Sequence, residues 1–187
     1  MYPWGHLAVG YLCYSIAVRL RSNRPPEGVA VLALAVGTQL PDLVDKPLSW
    51  SFNVLPSGRS LGHSILFATL CGISVWYVGQ RYSRRTEAGA LFGSHLLHVI
   101  ADMIPHVITG HWAKLSSLLW PLLPAYQYPG ESGRGIISYL FAVDLAKLPT
   151  ESFVIVVLTI GLWLFDGWPG IDIVVKRIRY LTETDLE

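Results

Sequence analysis

Four apolar segments, each closed by proline or by basic residues, fill the first half of this chain. They run from about Gly5 to Leu20, Gly28 to Leu40, Leu61 to Gln80 and Ala88 to Ile104. Backbone polar groups placed in hydrocarbon must bond within their own segment, so such runs are committed to helices. Pro25-Pro26, Pro41 and Pro105 follow the first, second and fourth, because proline lacks the N–H that would continue the ladder. The third segment is the best candidate for a full span: ~20 residues at ~1.5 Å each reach ~30 Å. A fifth run, Phe153 to Phe165, is apolar throughout and ends at Asp166-Gly167-Trp168-Pro169-Gly170. The first, second and last runs are short for spans, so a bundle sunk only partly into a bilayer is the alternative.

Composition supports the membrane reading. Hydrophobic residues make up 52% of 187 and charged residues 14%, against roughly 25% charged in soluble domains. Mean hydropathy is +0.43. The net charge of +1 gives no reason to expect nucleic acid as a partner. Cys13 and Cys71 lie inside apolar runs without CxxC spacing and read as small core residues. Met1 to Gly5 carries no basic residue, so a cleavable signal peptide is not expected. Ile136 to Leu148, with Asp144 and Lys147 as a surface pair, and the tail from Ile171 read as amphipathic helices. Between His106 and Gly135 the chain reads as irregular, with Trp112, Trp120, Tyr126 and Tyr128 suited to an interface. The fold class is therefore all-α: a single domain over 1–187, a membrane-embedded antiparallel bundle of about five apolar helices plus amphipathic helices.

Basic clusters follow the first, third and last apolar segments: Arg19, Arg21 and Arg24; Arg81, Arg84 and Arg85; Lys176, Arg177 and Arg179. The positive-inside rule turns those ends to the cytoplasm and the N-terminus outward, in a multi-pass protein of the inner (plasma) membrane. Six side chains able to bind a metal fall at the opposite ends: His6, Asp42, Asp45, His63, His98 and Asp102. They stand at a segment start, an end, a start and an end. Antiparallel neighbours bring such positions to one level.

The local spacing is informative. His95, His98 and Asp102 point within about 60° of one another on a helix. His98 and Asp102, at i,i+4, can share one ion, as the histidines of HExxH do. A bare Asp in so apolar a segment is costly and usually marks function. The plainer alternatives are a buried His–Asp bond that fixes packing, a Pro-Asp turn neutralised by Lys46, and solvated or capping histidines at helix starts. His95 is a ligand or a partner of one. His106 and His111 are reserve ligands or surface residues. Arg59 suits an anionic substrate group, phosphate especially, or is an exposed loop charge.

In order along the chain, Gly5-His6, Leu40-Pro41-Asp42 with Asp45, Arg59 with His63-Ser64, His98 with Asp102, and Leu119-Trp120-Pro121 resemble the LexA-binding, inner-membrane-associated hydrolases, also called membrane-bound metal-dependent hydrolases. The resemblance covers roughly residues 1–125. It departs at Gly58 and Gly62, where the family pattern has His and Thr. It implies kinship with the zinc-dependent phospholipase C and P1 nuclease group, and hence phosphoester hydrolysis. On that reading His6, Asp42, His63, His98 and Asp102 are ligands of one or more divalent ions, zinc or manganese. Asp45 bridges metals or acts as general base, and Arg59 steadies the substrate anion. Membrane lipid and a phosphoester or other lipid-like substrate are the implied partners. The competing class is a non-catalytic membrane protein whose His/Asp cluster is a structural staple or an ion-transport site. A repressor-binding role comes from the family name alone.

Overall fold

The structure, a computed structural model, describes residues 2–129 and 150–184. All regular structure among them is helical. The helices are α1 (Pro3–Ser22), α2 (Gly28–Lys46), α3 (Ile65–Arg81), α4 (Arg85–Ile108), α5 (Thr150–Phe165) and α6 (Ile171–Thr184). A π turn, Pro47–Ser51, prolongs α2, and a 3-10 helix, Trp112–Leu119, interrupts the stretch expected to be irregular. The amphipathic helix expected at 136–148 lies outside the described residues.

Three expectations change. Helix α2 does not stop at Pro41 but runs through it, as α4 runs through Pro105. Neighbouring helices and side chains can satisfy the carbonyls that an internal proline leaves over. The third segment begins at Ile65 rather than Leu61 and has 17 residues. Its expected first turn is held instead against α2, where Asp45 accepts the backbone N–H groups of Ser60, Gly62 and His63. Finally, length and composition together make only two helices, Gly28–Ser51 and Arg85–Ile108, long and apolar enough to span, each 24 residues. Among the described residues the candidate spans are thus the second and fourth segments, not the third, and these two are the ones that length and composition support of the about five apolar helices expected.

Helix α2 is the hub. Thr38 and Leu34 pack on Gly10 of α1, and Gln39 Nε2 donates to Pro3 O at 3.1 Å, so α1 and α2 are antiparallel. Against α4 the order is parallel: Ser94 Oγ donates to Leu34 O at 3.0 Å, and His98 bonds Thr38 O one turn later. Gly37 makes this approach possible, since a Cβ there would collide with the Leu91 backbone and Ser94 Oγ. Small residues and hydroxyls at the seam are how helices associate in lipid. Gly72 against Phe92 and Gly79 against Ala88 set α3 antiparallel to α4. The start of α1, the end of α2, the loop before α3 and the end of α4 therefore meet at one end.

At the other end, the Asp166 carboxylate accepts from Tyr11 Oη (2.6 Å), Ser15 Oγ (2.8 Å) and Arg19. This ties the turn after α5 to α1. On the outside, Leu66, Leu70, Ile73, Trp76 and Tyr77 of α3 are exposed. Such a face suits lipid contact.

Candidate metal centre

The site is built from hydrogen bonds that fix two imidazoles. His98 Nδ1 lies 2.6 Å from Thr38 O, on the turn of α2 that precedes Pro41. His63 Nδ1 lies 2.8 Å from Asp45 Oδ2. Carbonyl and carboxylate oxygens only accept, so each Nδ1 carries the proton and each Nε2 keeps a lone pair. Those two Nε2 atoms face each other at 3.3 Å. Burial is nearly complete: His63 is 0% exposed, His98 1% and His6 2%.

Three more donors close around them. Asp42 Oδ1 is 3.7 Å from His98 Nε2 and 3.9 Å from His63 Nε2. Asp102 Oδ2 is 3.7 Å from His63 Nε2. Its Oδ1 is 3.1 Å from His6 Nε2, and the His6 ring stacks on His98 with centroids 3.6 Å apart. Two sets of three, His6/His98/Asp102 and Asp42/His63/His98, each have their ligand atoms within 4.8 Å of one another, and His98 belongs to both.

The donors fit a divalent ion. Among the described residues, Asp42 Oδ1 and His6 Nδ1 are buried without a hydrogen-bond partner, and His6 Nε2 faces Asp102 Oδ1 at 3.1 Å without a well-formed bond, a costly state unless something else satisfies them. Ligand atoms bound tetrahedrally at ~2.0–2.1 Å stand roughly 3.3 Å apart. The separations here straddle that value. Three imidazoles and two carboxylates could hold a divalent transition metal.

Cations flank the cluster. Lys46 Nζ is 2.5 Å from Asp42 Oδ2 and lies over the Trp50 ring. Arg59 Nε is 2.8 Å from Asp102 Oδ2, with its guanidinium over Tyr128. Burial works against the charge on Arg59, but Asp102 and Tyr128 outweigh it and hold the guanidinium protonated. For the His63 imidazole, in the loop, burial pushes the pKa down. Asp102 and Asp45 push harder, and the net shift is upward.

Of the six residues singled out in sequence, five meet: His6, Asp42, His63, His98 and Asp102. Asp45 stands behind them. Its Oδ1 accepts from Gly62 N (2.7 Å) and its Oδ2 from Ser60 N (2.8 Å), His63 N and His63 Nδ1. His95 Nε2 bonds Gly62 O at 2.9 Å and braces the same loop. His106 and His111 stay outside, next to Tyr128 and Thr109. Sequence reasoning passed over Thr38, whose contribution is a carbonyl and leaves no side-chain signal. Lys46 reads in sequence as a neutralising charge, and its i,i+4 spacing from Asp42 is the signal for the bond formed. The two family departures have steric reasons. A Cβ on Gly58 would lie 2.7 Å from Trp50 Nε1, and one on Gly62 would lie 2.8 Å from the Pro41 backbone.

Comparison with known proteins settles the family. The model for YdjM inner membrane protein matches residues 1–175. The chain belongs to the YdjM inner membrane protein family. It is accordingly an inner-membrane protein, and α2 and α4 supply helices able to cross the bilayer. The family match spans every residue of the cluster. No curated protein and no solved structure matched the chain.

Proposed function

We propose that this protein is a membrane-bound, metal-dependent hydrolase acting on a phosphoester of an amphiphilic, lipid-like substrate. The observation that carries the reading is the pair of lone pairs, His63 Nε2 and His98 Nε2, at 3.3 Å in a buried ring of acceptors. His6, Asp42, His63, His98 and Asp102 would hold the ion, with zinc favoured by the imidazoles and manganese the alternative. When bound, such an ion polarises a phosphoryl oxygen and lowers the pKa of a bound water to about 7.

The remaining roles follow from the contacts. Asp45, with both oxygens engaged by the loop and His63, is an orienting residue in place of the bridging ligand or general base expected from sequence. It fixes the His63 tautomer, as carboxylates behind metal-bound histidines do. Arg59 Nε bonds Asp102 Oδ2 at 2.8 Å. With 18% of its side chain exposed, it is more accessible than Lys46, Asp42 or Asp102, which suits it to meet the substrate anion. Helix order and the basic clusters support an outward-facing cluster. A reporter fused at the N-terminus should then read outside the cell.

Purified protein should contain stoichiometric zinc or manganese and should turn over bis(p-nitrophenyl) phosphate in a chelator-sensitive way. Protein that neither retains nor takes up metal sinks the reading. The depth of burial favours one competitor, a structural or ion-passing site, because catalytic zinc needs an open position. Metal uptake in liposomes without turnover would select that competitor.

A further inference from the structure

Independently of the metal reading, we infer that α6 lies flat in the lipid–water interface at the basic end of the bundle, its apolar stripe among acyl chains and its arginines on lipid phosphates. Among the described residues, α6 packs on α2 through its first turn. Ile173 and Asp172 stand against Gly28 at the start of α2, where a Cβ would come within 2.7 Å of Ile173 Cδ1 and 2.8 Å of Gly170 N. The turn leading in is fixed as well: Gly170 N donates to Asp172 Oδ1 at 3.0 Å, and Trp163 Nε1 to Pro169 O at 3.1 Å. From Val174 to Thr182 every residue is exposed. A helix of 14 residues with so little support is marginal in water.

Ile171, Val174, Val175, Ile178 and Leu181 are exposed, and at ~100° per residue they fall within an arc of about 120°. Ile173, which packs on α2, lies roughly 140° from the centre of that arc, so the stripe is not the face that holds α6 to the bundle. Arg177 and Arg179 border it, each about 100° from its centre. The Arg177 guanidinium lies over the Tyr180 ring, 5.6 Å from its centroid, on the side away from the stripe. The acidic positions are further round than either arginine: Asp172, 3.4 Å from Lys176 Nζ, and position 183. Asp185 and Glu187 follow the helix. Net charge is therefore not what seats α6. An apolar stripe with a cation on each border is the pattern of a helix in the plane of a membrane surface, its arginine stems over acyl chains and its guanidiniums reaching the phosphates. Its place in the fold agrees. Gly28 begins one of the two helices able to span, so α6 leaves the bundle at the level where that span enters the headgroups. Phe165 and Trp168, just before α6, are exposed too, and aromatic rings favour that level.

The test uses full-length protein carrying Cys13→Ser and Cys71→Ser, one copy per nanodisc of phosphatidylethanolamine and phosphatidylglycerol, with a nitroxide on single cysteines along α6. Oxygen concentrates among acyl chains and a neutral nickel chelate in water, so the two relaxation agents report depth. The ratio of oxygen to nickel accessibility should be several-fold higher at Val174→Cys, Ile178→Cys and Leu181→Cys than at Lys176→Cys. Arg177→Gln with Arg179→Gln should bring the Ile178→Cys label closer to water. Stripe labels as open to the nickel chelate as Lys176→Cys overturn the inference, since α6 then stands in water. Stripe labels shielded from both agents overturn it as well, since protein, residues 130–149 included, then covers the stripe. An Ile178→Cys label at unchanged depth in the arginine variant does so too, because the guanidiniums then hold nothing. Amide exchange of residues 174–182 in protein of unaltered sequence gives a second reading: slow in nanodiscs as expected, or fast, which overturns the inference even if the cysteine-free protein does not fold.

Discussion

His63 and His98 present Nε2 to Nε2 at 3.3 Å, each with its Nδ1 committed to an oxygen that can only accept. The two imidazoles come from a loop and from α4, 35 residues apart in sequence. Two facing lone pairs repel, and a cation between them would relieve that repulsion, which makes metal content the property most directly open to measurement.

His98 belongs to both three-residue groups, so it is the residue whose loss should empty the site. His98→Ala alone, and together with Asp102→Ala, should reduce bound metal from stoichiometric to background by elemental analysis. In wild-type protein, zinc at a hundred times its dissociation constant should add about 2.7 kcal/mol of stability. The double variant should gain none. One equivalent of metal retained by the double variant would falsify the assignment.

Asp45→Asn keeps the shape of the side chain but replaces one acceptor oxygen with an N–H₂ group, where four N–H groups now converge. The His63 tautomer loses its anchor. Metal affinity, measured by competition with a chromophoric chelator, should fall roughly 10–100-fold. An unchanged affinity would return Asp45 to a purely structural place.

Gly62→Ala forces a Cβ to within 2.8 Å of the Pro41 backbone, which cannot yield as a side-chain tip would. Thermal unfolding in detergent should show a loss of about 1–3 kcal/mol, and metal affinity should fall with it because His63 follows directly. Gly93→Ala is the control. Its Cβ meets nothing within 4 Å, and replacing a helical glycine there should hold or raise stability by up to about 1 kcal/mol.

At the basic end, burial pushes the Asp166 carboxyl up. The bonds from Tyr11, Arg19 and Ser15 outweigh it and bring it below the ordinary carboxylate value. A lowered folded pKa means that the stabilisation is complete above the unfolded value, about pH 4, and fades as pH falls through the folded value. The melting temperature of wild-type protein should therefore drop below about pH 4. Asp166→Asn should be less stable at neutral pH and lack that part of the acid slope. Parallel acid curves for the two proteins would remove Asp166 from this account.

Helical class, the membrane environment and five donor positions could be read directly from the chain, because each depends on local chemistry. Apolar runs must close their own hydrogen bonds, and a His or Asp inside one stands out against its neighbours. Start–end–start–end placement followed from the same pattern. Where α3 begins could not be read, because Leu61 to Ser64 leads into the apolar run without a proline break and is held out of the helix by Asp45, from another segment. Pro41 and Pro105 do not end their helices for a related reason, since both helices continue through packing against neighbours. The roles of Asp45 and Asp42 also separated only in three dimensions. Both are buried carboxylates three residues apart, and what distinguishes them is which distant N–H groups each one meets. Sequence determined which groups could bind a cation; tertiary structure decided which atoms face inward, since a lone pair's direction is set by whatever holds the opposite side of the ring or carboxylate.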